Sequence, residues 1–378
     1  MELDPRHPLS AGTTSGSGLI QAYGGTRPEI TPVWFMRQAG RSLPEYRELR
    51  VGTAMLDACL DPAMASEITL QPVRRHGVDA GIFFSDIMVP LKLVGVGVEI
   101  VPGKGPVLAT PVRTAADIDA LTSLSPFALD EALEPIREAV RLTVAGLEQL
   151  GGTPLIGFAG APFTLATYLV EGGPSKDHVL TRTLMHSDPD AWRRLMDWAA
   201  DVTGRFLRAQ VLAGASAAQL FDSWAGALSL DDYTAHVAPA SSRALDHVRD
   251  LTYAVPGAPS DEVPDPAPVV RNVPIVHFGV GTGELLKAMH DIGADVVGVD
   301  YRVPLDEASR RLGGLVSLQG NIDPAMLGAP WPVLERHVLD VLERGRQAPS
   351  HVLNLGHGVP PETDPDVLTR LVEFVHTR

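Results

Sequence analysis

A chain of 378 residues, 45% hydrophobic and 20% charged, can build either two domains or one large α/β domain. Its formal net charge of −15 argues against nucleic acid as a partner, because a phosphate backbone needs a basic footprint. The single cysteine, Cys59, excludes a disulfide within the chain and any cysteine-based zinc or iron–sulfur site, and fits a reducing cytoplasm.

Met1–Gly18 is polar and rich in Gly, Ser and Thr. It has no apolar segment of the kind a secretory signal needs and reads as a flexible tail ahead of a domain spanning 19–378. No apolar stretch is long enough to span a bilayer. From there, short apolar runs alternate with longer amphipathic segments. Strands are expected at Val33–Met36, Ala80–Phe84, Pro154–Phe158, Ala217–Phe221, Pro274–Phe278, Val296–Val299, Leu315–Leu318 and Val352–Leu355. Helices are expected at Ala63–His76, Leu129–Leu150, Pro189–Ala213, Leu230–Leu251, Gly283–His290, Pro304–Arg311, Pro332–Arg346 and Pro365–Val375. Asp-Pro pairs at Asp61, Asp188, Asp323 and Asp364 mark helix starts, with Asp as the N-cap and Pro in the first turn.

Eight apolar strands alternating with helices indicate a parallel sheet covered by helices, and the count points to a single α/β domain of (β/α)8 or TIM-barrel type. A doubly wound open sheet is the alternative, but no Gly-x-Gly-x-x-Gly follows the first strand. Gly279-Val-Gly-Thr-Gly283 has neither that spacing nor a P-loop lysine and reads as a tight turn. Two segments break the rhythm. Leu91–Pro106 reads as an inserted β-hairpin, and Val255–Asn272, rich in Pro and Asp, as a surface loop.

In a parallel barrel, chemistry collects at the C-terminal ends of the strands. Here those ends carry Arg37 and Arg41, Ser85-Asp86, Tyr168 after the third strand, Asp222-Ser223-Trp224, His277, Asp300, Gln319-Gly-Asn321 and Asn354-Leu-Gly-His357. Arg37 and Arg41 leave the first strand with Gly40 between them, a pairing suited to gripping carboxylates or phosphates in two-pronged fashion. Each residue has a bland alternative. Asp86 and Ser223 are ordinary helix caps, Tyr168 is an ordinary core residue, Asp222 and Asp300 are ordinary loop acceptors, and His277 reads as buried. His357, between two glycines, is expected to be exposed. No His-Glu-x-x-His or Gly-x-Ser-x-Gly motif is present, so neither a zinc peptidase nor a serine hydrolase is indicated.

The stretches PVWFMRQAGRSLPEYRELR, FFSDI, GFAGAPFTLATYLVEGG, QLFDSWAG, VVGVDYRVPL, LQGNIDP and NLGHGVPPETDP together resemble the uroporphyrinogen decarboxylases, in order and from about Thr31 to the C-terminus. The resemblance implies a (β/α)8 barrel acting as a homodimer with facing clefts. It implies a cytoplasmic carboxy-lyase of porphyrin biosynthesis that removes the carboxyl groups of the four acetates of uroporphyrinogen III to give coproporphyrinogen III, without metal or organic cofactor. It assigns the substrate-binding motif Arg37, Gln38, Ala39, Gly40 and Arg41, with Arg37 also a candidate proton donor, and Arg50 as a further basic residue near the cleft. It assigns Asp86 as the carboxylate beneath the pyrrole N–H groups, Tyr168, Ser223 and His357 as contacts to substrate carboxylates, and Phe84 and Phe221 as apolar wall. Zinc-dependent methyltransferases share this fold but use a His-x-Cys motif where this chain has His277-Phe-Gly279. A non-catalytic tetrapyrrole-binding protein is the other alternative, and would need loss of Asp86 or the arginines.

Overall fold

The computed structural model describes residues 1–40, 42–257 and 267–378; Arg41 and the middle of the Pro-rich segment lie outside them. The strands in chain order are β1 (Gly81–Ile82), β2 (Val98–Val101), β3 (Gly105–Leu108), β4 (Leu155–Gly160), β5 (Ala217–Asp222), β6 (Thr252–Val255), β7 (Val269–Asn272), β8 (Ile275–Gly279), β9 (Val296–Gly298), β10 (Ser317–Ile322) and β11 (His351–Leu355). Seven of them form one parallel sheet in the order β1-β4-β5-β8-β9-β10-β11. Nearly every residue of these strands is buried, as expected for a sheet covered on both faces.

The sheet is strongly curled. Gln319 of β10 donates from Nε2 to Gln219 Oε1 of β5 at 3.1 Å, although two strands separate β5 from β10 in the sheet, so this bond crosses the concave face. The Gln319 Oε1 accepts from Tyr23 Oη at 2.5 Å and from Trp34 Nε1 at 3.2 Å, giving a buried polar knot inside the curl. The first expected strand, Val33–Met36, forms no regular ladder. It makes a parallel bridge between Val33 and Leu353 of β11, with Trp34 N donating to Leu353 O at 3.2 Å and Leu353 N to Pro32 O at 2.8 Å. On its other side Asp79 N donates to Val33 O at 2.9 Å, and Val33 N donates to Asp79 Oδ2 at 2.7 Å.

The Asp-Pro helix starts behave as capping chemistry demands. Asp61, Asp188, Asp323 and Asp364 accept from the backbone N–H groups of Met64, Ala191, Ala325 and Asp366 respectively. Two long helices expected from periodicity are each broken. Leu129–Ala132 stops before Glu134–Gln149, which has Pro135 in its first turn, and Leu230–His236 stops before Ala238–Arg249, which has Pro239 there. Proline cannot donate to the preceding turn, so a new helix starts at each.

The N-terminal segment differs from the loose tail expected. Leu9 is wholly buried, Leu3 N donates to Thr252 O at 2.8 Å, and Thr14 Oγ1 meets Ser216 Oγ at 2.8 Å. Leu3 and Leu9 supply apolar anchors that a Gly/Ser/Thr-rich composition conceals. The insertion expected at Leu91–Pro106 begins as the helix Val89–Leu93, and the hairpin itself is β2–β3. The described ends of the Pro-rich segment pair as the antiparallel β6–β7 ribbon. Among the described residues, no helix is long and apolar enough to cross a membrane.

Candidate active site

Arg37 follows the buried run Val33–Met36 and is exposed, with φ of 62°, a left-handed conformation uncommon outside glycine. Its neighbours hold it there. Met36 N donates to Asn354 Oδ1 at 2.9 Å, Val359 N donates to Met36 O at 2.8 Å, and Gln38 N donates to Phe35 O at 3.0 Å. Gln38 is wholly buried, its Oε1 accepting from Phe35 N at 2.9 Å and its Nε2 donating to Ala80 O at 2.8 Å. Both ends of its amide are therefore committed to the fold. Ala39 and Gly40 are half-buried in the turn that follows. Arg41 lies outside the described residues.

Asp86 stands after β1 on a short turn, half-buried, with Oδ1 accepting from Met88 N at 2.8 Å. Burial pushes its carboxyl above the ordinary carboxylate value, while the Met88 N–H and the Arg37 charge oppose the shift. Tyr168, on the helix Pro162–Glu171 after β4, has its hydroxyl pushed up to about 12, first by burial and then by the Asp86 carboxylate, with Arg37 opposing. It is therefore a neutral O–H donor at pH 7. His357, after β11, is held below the ordinary imidazole value by burial and by the charges of Arg37 and Arg302, with Asp300 opposing. Its Nδ1 accepts from Gly358 N at 2.7 Å, which leaves the proton of the neutral ring on Nε2. Arg37 thus acts electrostatically on Asp86, Tyr168 and His357 at once, and the three strand ends that carry these groups converge around it.

His357 is half-buried, not exposed, and its flanking glycines serve close approach. A Cβ on Gly356 would lie 2.2 Å from Tyr301 N, and one on Gly358 would lie 2.4 Å from Arg37 Cδ. Arg50 has its guanidinium on Tyr46 Oη at 3.3 Å, Met55 Sδ at 2.7 Å and Thr53 O at 3.1 Å. The rings of Tyr46 and Phe84 meet edge-on at 5.8 Å, and Phe84 is buried. Phe221 packs edge-on between Phe158 at 5.5 Å and Phe278 at 6.0 Å, forming an apolar row on the concave face. Ser223 is exposed at the end of β5. Cys59 is buried, and burial together with the Asp86 charge pushes its thiol up, so it remains protonated.

The stacking of Tyr168 on its neighbours escapes a reading of sequence alone. Trp224 lies against Tyr168 with ring centroids 4.0 Å apart, and His178 stacks on its other side at 4.6 Å. His178 is buried with a left-handed φ of 49°. Its position at a helix start gave no signal of this stack.

Asp222 and His277 alternate away from Phe221 and Phe278 along their strands and so occupy the opposite face, toward the helices. Both are fully buried; Asp222 Oδ1 accepts from Thr164 Oγ1 at 2.9 Å, and His277 Nε2 lies 3.9 Å from Asp222 Oδ2. The Gly279–Gly283 segment is the tight turn expected, with Gly281 N donating to Asp300 Oδ2 at 2.6 Å and Thr282 Oγ1 donating to Gly279 O at 3.0 Å. A Cβ at Gly279 would lie 2.5 Å from Thr282 Cγ2, so this position has no room for the cysteine a zinc methyltransferase needs, and His277 faces away from the cleft.

Comparison with known proteins places nearly the whole chain in a family. The family described as uroporphyrinogen decarboxylase (URO-D) matches residues 14–378. The uroporphyrinogen decarboxylase of Leifsonia xyli subsp. xyli is 72% identical over 99% of this chain and 98% of its own length, and that of an Arthrobacter species is 66% identical over 97% and 98%. Among solved structures, a methyltransferase from Methanosarcina mazei superposes with a TM-score of 0.75 at 18% identity, covering 98% of each chain, which shows a shared α/β fold. With a profile match over nearly its whole length and the cleft's charged groups lying within it, the chain belongs to the uroporphyrinogen decarboxylase family.

Proposed function

We propose that the chain is a carboxy-lyase that converts uroporphyrinogen III to coproporphyrinogen III by decarboxylating its four acetate side chains, as part of porphyrin biosynthesis. The observation that carries this reading is the buried carboxyl of Asp86 lying within the field of Arg37, with Tyr168 and His357 around the same arginine as neutral donors. A tetrapyrrole with inward N–H donors and peripheral carboxylates is the complement of that pattern.

The chemistry follows from the charges. Decarboxylation leaves an electron pair that needs an acceptor, and a pyrrole protonated on carbon provides one. Asp86 beneath the N–H groups stabilises the cationic ring, an electrostatic effect that acts in the transition state. The C–C bond to the carboxylate breaks, its electrons enter the ring, carbon dioxide leaves, a proton then completes the methyl group, and loss of the proton first added to the ring carbon restores the pyrrole. Arg37 orients the departing carboxylate and is the candidate donor of that proton. Tyr168 and His357 Nε2 donate to other substrate carboxylates, as does Ser223, while Arg41 and Arg50 add positive charge. Phe84 and Phe221 supply apolar wall, and the backbone of Gln38, Ala39 and Gly40 shapes the anion loop.

The reading extends to a complete (β/α)8 barrel, in which the Pro32–Met36 segment stands as the eighth stave between β11 and β1. The bonds from Leu353 on one side and Asp79 on the other support that closure. It extends also to a homodimer in the cytoplasm, as the family resemblance implies. The test is an anaerobic assay of purified protein with uroporphyrinogen III in chelator, following stepwise carboxyl loss by chromatography. Intermediates running down to coproporphyrinogen are expected. Folded protein that leaves the substrate intact, or acts only after addition of metal, refutes the reading.

A further inference from the structure

Away from the cleft residues, the short helix Leu230–His236 and the last turn of the helix Val179–Ser187 bring two imidazoles and a carboxylate together. Asp232 and His236 are four residues apart and share a helix face. His186 meets them from the other helix. Its Nε2 lies 3.5 Å from Asp232 Oδ1, and its ring stands edge-on to that of His236 at 5.7 Å and 84°. One ligand atom from each of the three lies within 4.8 Å of the others.

These separations suit coordination better than hydrogen bonding. Ligands at about 2.0–2.1 Å from a tetrahedral ion stand about 3.4 Å apart. The His186–Asp232 separation of 3.5 Å already matches one edge of that tetrahedron, whereas it is long for an N–H···O bond. The backbone beneath the ligands is fixed: Asp232 N donates to Ser229 Oγ at 3.1 Å, and the His236 carbonyl accepts from Trp192 Nε1 at 3.0 Å. Access is open, because the His186 side chain is 53% exposed while that of Asp232 is 20% exposed.

We propose that His186, Asp232 and His236 form a binding site for one borderline divalent transition-metal ion, with zinc as the reference ion and water in the remaining position. Two imidazoles select zinc, cobalt or nickel over the hard cations magnesium and calcium, which take oxygen ligands. The site is independent of the reading of the cleft. Its position has a consequence there, because both helices flank the stack on Tyr168. The first begins after His178, which stacks on Trp224, and the second follows Trp224 across the turn Ala225–Ala227. A bound ion ties the two ends of that aromatic wall together.

The experiment uses full-length protein stripped with chelator and titrated with Zn²⁺ by calorimetry, alongside H186A and D232N, with Mg²⁺ as the hard-cation control. One Zn²⁺ per chain is expected, with affinity at least tenfold weaker in each variant and no Mg²⁺ uptake. Co²⁺ loading is expected to give the visible absorption of a four-coordinate ion, lost in both variants. Absence of Zn²⁺ uptake by the wild-type chain, or uptake unchanged in both variants, overturns the proposal.

Discussion

Replacing Gly358 with alanine converts a packing detail into a measurement of what Arg37 does. The added Cβ would lie 2.4 Å from Arg37 Cδ, 2.8 Å from Cγ and 3.1 Å from Nε. Carbon atoms rest at about 3.5–4.0 Å, so Cδ must retreat by roughly 1 Å, and the guanidinium beyond it swings further. Arg37 is exposed, and the obstruction is a flexible side chain, so the fold absorbs the change at little cost. Function does not, because hydrogen bonds to a charged group contribute about 1.5–3 kcal/mol and need the guanidinium in place. At about 1.36 kcal/mol per decade, kcat/KM for uroporphyrinogen should fall roughly 10- to 150-fold. The assay is the anaerobic initial rate, with thermal melting as a control for folding. The decisive comparison is with R37A, since G358A should have almost no further effect when Arg37 is already absent. A folded G358A protein within twofold of wild-type kcat/KM, or an undiminished loss in the R37A background, refutes the argument.

Other expectations follow from the same geometry. D86N should keep its melting temperature but lose about 10²–10³ in kcat, measured in the same assay, and near wild-type turnover would remove Asp86 from the chemistry. Because burial raises the Asp86 carboxyl, wild-type kcat/KM should fall as pH drops through that raised value, and the D86N profile should lack this acid limb. G356A presses a methyl group onto the Tyr301 backbone at 2.2 Å, which cannot yield as a side chain does; a loss of about 1–3 kcal/mol in urea unfolding is expected, and an unchanged midpoint contradicts it. Asp222 and His277 set opposing pH slopes. Burial raises Asp222 from 3.8 to about 7, so the folded state holds a proton the unfolded chain has lost, and stability falls as pH rises through that window. Burial lowers His277 from 6.5 to about 4, so its contribution rises over that range and offsets the first. Above pH 7 only the cost of ionising Asp222 remains. D222N should therefore melt higher than wild type at pH 8 and lose that advantage progressively as pH falls from about 7 towards about 4; a pH-independent difference would count against the buried carboxyl.

The strand and helix positions were legible because burial on both faces leaves nearly unbroken apolar runs, and Asp-Pro pairs mark where helices begin. The breaks before Glu134 and Ala238 were legible too, since Pro135 and Pro239 signal them, yet an amphipathic period running through both prolines obscured the signal. The Val33–Met36 segment reads as an ordinary strand because it is uniformly apolar. Its single bridge to Leu353 and the Asp79 side chain that takes the Val33 N–H depend on residues far away in sequence. Within the cleft, sequence places Arg37, Asp86, Tyr168 and His357 at strand ends, and the fold gathers them. It cannot show that Gln38 spends both ends of its amide on Phe35 and Ala80, or that Gly358 is small because Arg37 lies across it. Nor can it show Trp224 between Tyr168 and His178. Each of these depends on segments meeting only after the sheet has curled.

The knot of Tyr23, Trp34, Gln219 and Gln319 works as an alignment key for the strands. A slip of β10 by one residue would turn the Gln319 amide to the opposite face, and a slip of two would carry it about 6.6 Å along the strand. Either way its three partners would be stranded in a dry interior, at about 1–3 kcal/mol for each unsatisfied group. Apolar strands of valine, leucine and isoleucine slide past one another with far less penalty. One amide thus sets β5 and β10 against each other across the interior. Gln219 lies two residues below Phe221, and Gln319 two below Asn321, whose Nδ2 donates to the Asp300 and Val303 carbonyls at 2.9 and 2.6 Å. The level of the cleft's rim is therefore fixed from beneath, by polar residues that take no part in its chemistry.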